Sequence, residues 1–287
     1  MPKVLNEFVQ TIKGKEYAGI SDETVLSLLS PLLEQDKKAR DRIEGAKEYH
    51  SVEKTLRPTL KKVREKLHHL YASYHTRETK KIFSLLDELK KELKKKPLEE
   101  TKESHKQLLA AHRSTKERVP LLDTFYEEIF SYTGVPKHIV DIACGLNPLT
   151  APWIGKTTIE GFELSELECE VINQYGIITR QNISAQRVDL LIHLPKLKAE
   201  QLFAFKFFEL IPTKRVEEIL IKADVDFIIA SFPTKTIKNE QMAKTTRAWF
   251  HLLLRRIQYP YKVIQFSNEI VYIIKKNARA SWKKETL

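Results

Sequence analysis

Two cysteines in 287 residues, Cys144 and Cys169, are too few for a framework of disulfide bridges. Nothing in the sequence supplies either with a base partner, so both read as small buried residues rather than nucleophiles. No apolar run approaches a membrane span, and Met1-Pro2-Lys3-Val4-Leu5 lacks the apolar core of a signal peptide. A reduced, soluble, cytoplasmic protein with no membrane contact is therefore expected. Internal repeats are absent, and the lysine cluster of residues 90–96 is the only low-complexity tract. His68, His69 and His112 do not have metal-ligand spacing, so no metal is expected.

What is present is enough apolar sequence, 42%, for a real core, and length for two modest domains. The net charge of +11 is placed unevenly: residues 1–118 hold 27 Lys and Arg against 19 Asp and Glu, a net of +8, which leaves +3 for the other 169 residues. A basic N-terminal end suits a polyanion-binding region, although lysine-rich helix surfaces also serve solubility.

The chain reads as helices followed by alternating strands and helices. Two short helices are expected within residues 1–35, with Ser21 as an N-cap, then nearly continuous helix from Asp36 to Tyr74 in which Pro58 marks a start or kink. Thr76–Lys96 and Ser104–His112 are further helices. The lysines at 90, 91 and 94–96 suit either the negative end of a helix dipole or nucleic-acid phosphates. Arg118–Tyr132 reads as one amphipathic helix. Strands are expected at 138–142, 158–162, 186–192, 202–208, 226–231, 261–266 and 269–275, with helices at 166–174, 213–222 and 240–257. The last two strands, joined at Ser267-Asn268, form a hairpin. Strands separated by helices imply a parallel sheet with right-handed crossovers, closed by an antiparallel strand. The expected domains are a helical one over 1–112 and an α/β one over 113–287.

The organising stretch is His138-Ile139-Val140-Asp141-Ile142-Ala143-Cys144-Gly145-Leu146-Asn147-Pro148, followed by Ile159-Glu160-Gly161-Phe162-Glu163. A buried strand ends in an Asp and a small-residue turn, and a second strand ends in a carboxylate suited to a ribose diol. Gly145 is the only glycine of the turn, so the fingerprint that cradles a pyrophosphate is missing. Adenosine without phosphates points to S-adenosylmethionine and a class I methyltransferase; the alternative is an ordinary βα turn. His112-Arg113-Ser114-Thr115-Lys116-Glu117-Arg118 also reads as a capping box built on Ser114 or Thr115 with Glu117, which leaves Arg118 unexplained.

His112–Arg118, Asp141–Leu149, Ser231-Phe232-Pro233-Thr234-Lys235-Thr236 and Asn268–Lys276 together resemble the aminoglycoside-resistance 16S rRNA (guanine-N7) methyltransferases, the Arm/Rmt/Sgm group, in order from about Leu67 to Lys276. The resemblance implies a Rossmann-like class I methyltransferase domain with a mixed seven-stranded sheet, preceded by a helical rRNA-binding domain. It implies an S-adenosyl-L-methionine pocket formed by Tyr74, the residues from His112 to Arg118, Ala143, Gly145, Glu163, Asp189, Leu190 and Phe207. Arg118 is expected on the methionine carboxylate, Glu163 on the ribose, Asp189 and Leu190 at the adenine, and Phe207 closing the pocket. Lys206 is implied at the methyl-transfer centre, its alternative being a lysine snorkelling to solvent. Phe232 is implied to stack on a flipped-out base, its alternative being a core residue.

The implied partner is 16S rRNA within the 30S subunit, and the implied consequence is aminoglycoside resistance; no heptad seam or exposed apolar stripe in the sequence argues against a monomer. Guanine N7 carries an unprotonated lone pair, so its methylation is a direct displacement that needs no general base, which agrees with a site lacking His/Asp or Cys/His pairs. Two segments depart from the family pattern: Phe207-Phe208-Glu209-Leu210-Ile211-Pro212, where the proline is displaced, and the short glycine-free Ile237–Met242. Both bear on the RNA base. A related enzyme with another target nucleotide, and a non-catalytic rRNA-binding homologue, are the alternatives.

Overall fold

The computed structural model describes residues 3–17, 19–70, 76–235, 247–277 and Trp282. The chain divides into two compact units, Met1–His75 with Leu164–Glu166, and Thr76–Glu163 with Leu167–Leu287. The division therefore falls well before the expected boundary at 112. Packing explains it: Leu86, Leu89, Leu108 and Leu109 share one core with Phe125 and Ile139 of the sheet-bearing unit.

The first unit holds helices α1 (Lys3–Lys13), α2 (Asp22–Gln35), α3 (Lys37–Gly45) and α4 (Glu53–Leu70) around Phe8, Ile12, Val25, Leu29, Leu56 and Val63. Ser21 caps α2 as expected, its hydroxyl accepting from the Thr24 amide at 3.1 Å. The nearly continuous helix expected from Asp36 is broken between α3 and α4 by a 3-10 turn at Tyr49–Ser51. Pro58 was expected at a helix start or kink and instead lies inside α4. Its missing N–H costs a helical bond, but the apolar face of Leu56, Val63 and Leu67, all fully buried, holds the helix together around it.

The second unit begins with α5 (Ile82–Glu92), α6 (Lys102–Leu109), α7 (Arg113–Arg118) and α8 (Leu122–Thr133). Two single-helix expectations fail here for local reasons. Residues Arg77–Lys81 form a 3-10 turn ahead of α5, where Thr76 and Thr79 cap each other reciprocally. Pro120 lies in a second 3-10 turn, Val119–Leu121, that separates α7 from α8. Arg118 thus ends a helix rather than starting one, and its positive charge suits that end of the dipole.

Seven strands follow: β1 (His138–Ile142), β2 (Thr158–Glu163), β3 (Ile183–Arg187), β4 (Gln201–Phe205), β5 (Phe227–Pro233), β6 (Tyr261–Gln265) and β7 (Glu269–Lys275). The intervening helices are α9 (Ala151–Ile154), α10 (Glu166–Thr179), α11 (Thr213–Lys222) and α12 (Ala248–Arg256). The helix expected over 240–257 is seen from Ala248; residues 240–246 and the Ile237–Met242 segment lie outside the described residues. The sheet order is β3-β2-β1-β4-β5-β7-β6, parallel except for β7. The order reverses between β1 and β4, the place where open α/β sheets bind ligands.

Strands such as Gln-Leu-Phe-Ala-Phe and Glu-Ile-Val-Tyr-Ile-Ile-Lys are apolar almost throughout because helices cover both faces of the sheet. Ile139, Phe203, Ile229 and Ile273 face the core shared with α5, α6, α8 and α10. Their neighbours Val140, Leu202, Ile228 and Ile274 face the core shared with α11 and α12. This period of two makes a three-layer, Rossmann-like domain. Among the described residues no helix is long and apolar enough to cross a membrane.

The strand expected at 186–192 is instead Ile183–Arg187. Asp189 ends it: its carboxylate accepts from the Leu191 amide at 2.9 Å, and its carbonyl accepts from Ile192 and His193, which turns the chain out of the sheet.

Candidate cofactor and active site

The carboxyl ends of β1 and β4 both finish in left-handed backbone at residues that have side chains, Ala143 at φ 48° and Lys206 at φ 56°. Such conformations cost of order 1 kcal/mol and more each, and they gather at functional sites. Gly145 follows at φ 50°, and its amide donates to Glu163 Oε2 at the end of β2 at 2.8 Å. A methyl group at Gly145 would sit 2.6 Å from Cε1 of His112, so only glycine lets this ring pack on the turn. Cys144 is held in a similar way, since a side chain at Gly161 would meet its Sγ at 2.9 Å. Burial pushes the Cys144 thiol well above its usual range, which leaves no nucleophile there.

Behind the turn runs a buried polar network. Arg118 is 1% exposed, and its Nε and Nη2 donate to the two oxygens of Glu269 at 2.7 and 3.0 Å. Its Nη1 donates to Asn147 Oδ1 at 2.8 Å, and the guanidinium lies over the rings of Phe125 and Phe205. Burial pushes the Glu269 carboxyl up, but the charges of Arg118 and Lys206 outweigh it and hold the group at about 2. Ser231 also donates to Glu269, at 2.7 Å. Lys206 is 6% exposed and donates to Glu117 Oε2 at 2.7 Å, while Arg113 donates to Glu117 Oε1 at 3.2 Å.

Asn147 uses its amide nitrogen on Asp141 Oδ2 at 2.7 Å, and Tyr126 donates to Asn147 Oδ1 at 2.7 Å. The other oxygen of Asp141, Oδ1, is buried and has no hydrogen-bond partner among the described residues. Burial pushes the Asp141 carboxyl up to about 8, against the hydrogen bond from Asn147 and the charge of Arg118, with Glu163 adding to the rise.

The expected site residues fall into distinct places. His112, rather than Ser114 or Thr115, is the residue before the first turn of α7. Thr115 lies inside that helix and donates to the Leu109 carbonyl at 2.6 Å, Ser114 is buried beside it, and Lys116 is exposed. Leu190 and Phe207 belong to the core that the sheet shares with α11 and α12, which also holds Phe162 and Ile142, with Ala143 packed against it. Asp189 shapes the turn just before Leu190. Tyr74 lies outside the described residues.

Two expected residues are placed otherwise. Arg118, expected on the methionine carboxylate, has all three guanidinium nitrogens engaged by Glu269 and Asn147. Phe232, expected against a flipped-out base, is 0% exposed, with its ring edge-on to Trp249, Phe250 and Tyr272. The next residue, Pro233, is the one that ends β5. Glu269, Asn147 and Asp141 are not among the expected site residues. An acid opening an otherwise apolar strand was the available signal, because a carboxylate is buried only when paired. Among the described residues no group of His, Cys, Asp and Glu side chains could hold a metal ion.

A family model described as ribosomal RNA methyltransferase (FmrO) matches residues 46–273. A 16S rRNA (guanine(1405)-N(7))-methyltransferase of Micromonospora echinospora is 26% identical over 225 residues, which are 76% of this chain and 82% of that protein. The protein of the same name from Proteus mirabilis is 31% identical over 201 residues, 63% of this chain and 70% of its own length. Among solved structures, the 16S rRNA methyltransferase RmtF in complex with S-adenosyl-L-homocysteine superposes with a TM-score of 0.74 at 19% identity, over 96% of this chain and all of that one. The 16S rRNA methylase RmtB gives a TM-score of 0.71 at 24% identity, over 95% and 98% of the two chains.

Proposed function

The chain belongs to the FmrO family of ribosomal RNA methyltransferases, and from that premise we propose that it methylates N7 of a guanine in the decoding-site helix of 16S rRNA, within the 30S subunit, and so gives resistance to aminoglycosides. S-adenosyl-L-methionine supplies an electrophilic methyl group on a sulfonium centre. The observation that carries the reading is the arrangement at the switch point, where left-handed turns at Ala143 and Lys206 end the adjacent strands β1 and β4, and the Glu163 carboxylate at the end of β2 is fixed by the Gly145 amide.

The residues present fit this cofactor. Glu163 offers a carboxylate to a diol at the end of β2, and Leu190 and Phe207 offer apolar side chains suited to a purine ring. The unsatisfied Asp141 Oδ1 suits a cationic group such as the α-ammonium of the amino acid moiety. The chain's own work is placement rather than proton transfer. Guanine becomes cationic at N7, and the Lys206–Glu117 pair keeps the lysine from presenting an uncompensated positive charge there.

The fit has a consequence for pH. Facing Asp141 are Arg118 and Asn147, with Tyr126, Cys144 and Glu163 nearby, and its carboxyl keeps a proton up to about pH 8. A cation beside Oδ1 favours the ionised form, so cofactor binding is expected to release a proton. Affinity should rise up to about tenfold per pH unit between pH 6 and 8 and then level off. Calorimetry in buffers of different ionisation enthalpy reads the proton directly. Asp141→Asn should flatten both dependences, and a wild-type affinity that does not change with pH rejects the assignment.

The basic helical region is the part proposed to grip rRNA as a monomeric enzyme docks. In support, Lys54, Arg57, Lys61, Lys62 and Lys66 are exposed on α4, a helix that carries only Glu53 and Glu65 as acids. The test of the function is primer extension on 30S particles after incubation with protein and S-adenosyl-L-methionine. A single new stop at a decoding-site guanine is expected. No mark, with the cofactor bound, rejects the enzyme in favour of a non-catalytic binder, and a stop elsewhere reassigns the target.

A further inference from the structure

We infer that Arg247 and Glu209 form a positioning pair that sets how the RNA base is received beside Lys206, so that the pair determines target specificity. The inference rests on the proposed function above. Arg247 precedes α12 and is 6% exposed; its Nε donates to the Glu209 carboxylate, and its Nη2 donates to the Pro233 carbonyl at 2.8 Å. The guanidinium lies 5.6 Å from the centre of the Phe232 ring, and the Arg247 amide donates to the Tyr272 hydroxyl. One cation therefore ties together the segment after β4, the end of β5 and the start of α12.

The strands themselves do not need this tie. β4 and β5 are held by their own ladder through Phe205 and Ser231, and the Lys206 amide continues it to the Ser231 carbonyl at 2.9 Å. The pair acts beyond that point, on the segment just after Lys206, where Phe207 and Glu209 lie in one short turn closed by the Leu210 amide on the Phe207 carbonyl. A planar fork with two partners at fixed angles specifies position more tightly than a single point charge can.

Its place in the sheet gives the pair its role. Gly145 and Glu163 occupy the ends of β1 and β2, on one side of β4 in the sheet, while Pro233 ends β5 on its other side and Glu209, three residues after Lys206, is tied to that end through Arg247. The cofactor side and the base side are thus separated by Lys206. Glu209 also lies in the segment that departs from the family pattern, and Arg247 is the first described residue after the other departing segment.

The test compares Glu209→Gln, Arg247→Gln and Arg247→Lys with the wild type, using S-adenosyl-L-methionine calorimetry, steady-state methylation of 30S particles and primer extension. Both Gln variants should bind the cofactor within about twofold of wild type. They should raise the KM for 30S particles tenfold or more at a kcat within threefold, or spread the mark to neighbouring guanines, and Arg247→Lys should recover part of the loss. Glu209 is partly exposed, so its variant keeps the test open should Arg247→Gln fail to fold. Unchanged KM and mark position in Glu209→Gln overturn the inference, as does cofactor affinity falling in parallel with KM. A wild-type protein that leaves no mark on rRNA overturns the functional reading and this inference with it.

Discussion

Arg118→Ala is expected to destabilise the folded protein by about 3–5 kcal/mol, the usual cost of leaving a buried charge without its partner. For a unit of this size that lowers the midpoint of thermal unfolding by on the order of 10 °C. The partner is Glu269, 0% exposed, which among the described residues would keep only Ser231 as a direct donor. Lys206 is committed to Glu117 at 2.7 Å and does not replace a bidentate guanidinium. The double variant Arg118→Met with Glu269→Gln removes both charges and should recover a large part of the loss. Unfolding of both variants followed by circular dichroism checks this, and a loss below about 1 kcal/mol for Arg118→Ala would show that the pair is not what holds this region.

The same pair fixes an acid limit. Glu269 titrates at about 2 in the folded protein, below its ordinary value of 4.5. Its stabilisation is therefore present above pH 4.5 and disappears as pH falls toward 2.

Glu163→Ala is expected to weaken S-adenosyl-L-methionine binding by about 3 kcal/mol, more than a hundredfold, through loss of two charge-assisted hydrogen bonds to a ribose diol. The variant also removes the acceptor of the Gly145 amide, so the left-handed turn loses the bond that sets its height above β2. Glu163→Asp should fall between the two, because a shorter side chain reaches the diol at some cost to the amide. Calorimetry measures each step. A change in Kd under threefold for Glu163→Ala would remove the residue from the site.

The parallel sheet and its closing antiparallel strand were legible because most strands are short apolar runs bounded by turn residues, and Asp141 and Glu163 mark strand ends in a way that composition alone does not. The failures lie where a local bond or a distant partner overrides pattern. Asp189 ends β3 by capturing the Leu191 amide, a choice between side chain and ladder that periodicity does not register. Pro120 sets a 3-10 turn at the head of the Arg118–Tyr132 stretch, so α8 starts only at Leu122 and Arg118 is left as the end of α7. Arg118 and Glu269 stand 151 residues apart, so nothing local to either could show that the arginine's fork was already taken. Phe232 carried two readings, a platform for a base and a core residue, and only the rings of α12 and β7 around it distinguish them.

The left-handed backbone at Lys206 sets two demands on that position against each other. Glycine or asparagine would relax the turn, but either replacement deletes the amine that pairs with Glu117 and helps keep Glu269 charged. Such variants should fall behind their parent in turnover without outlasting it on heating, so the strained turn persists because the amine is needed on both counts.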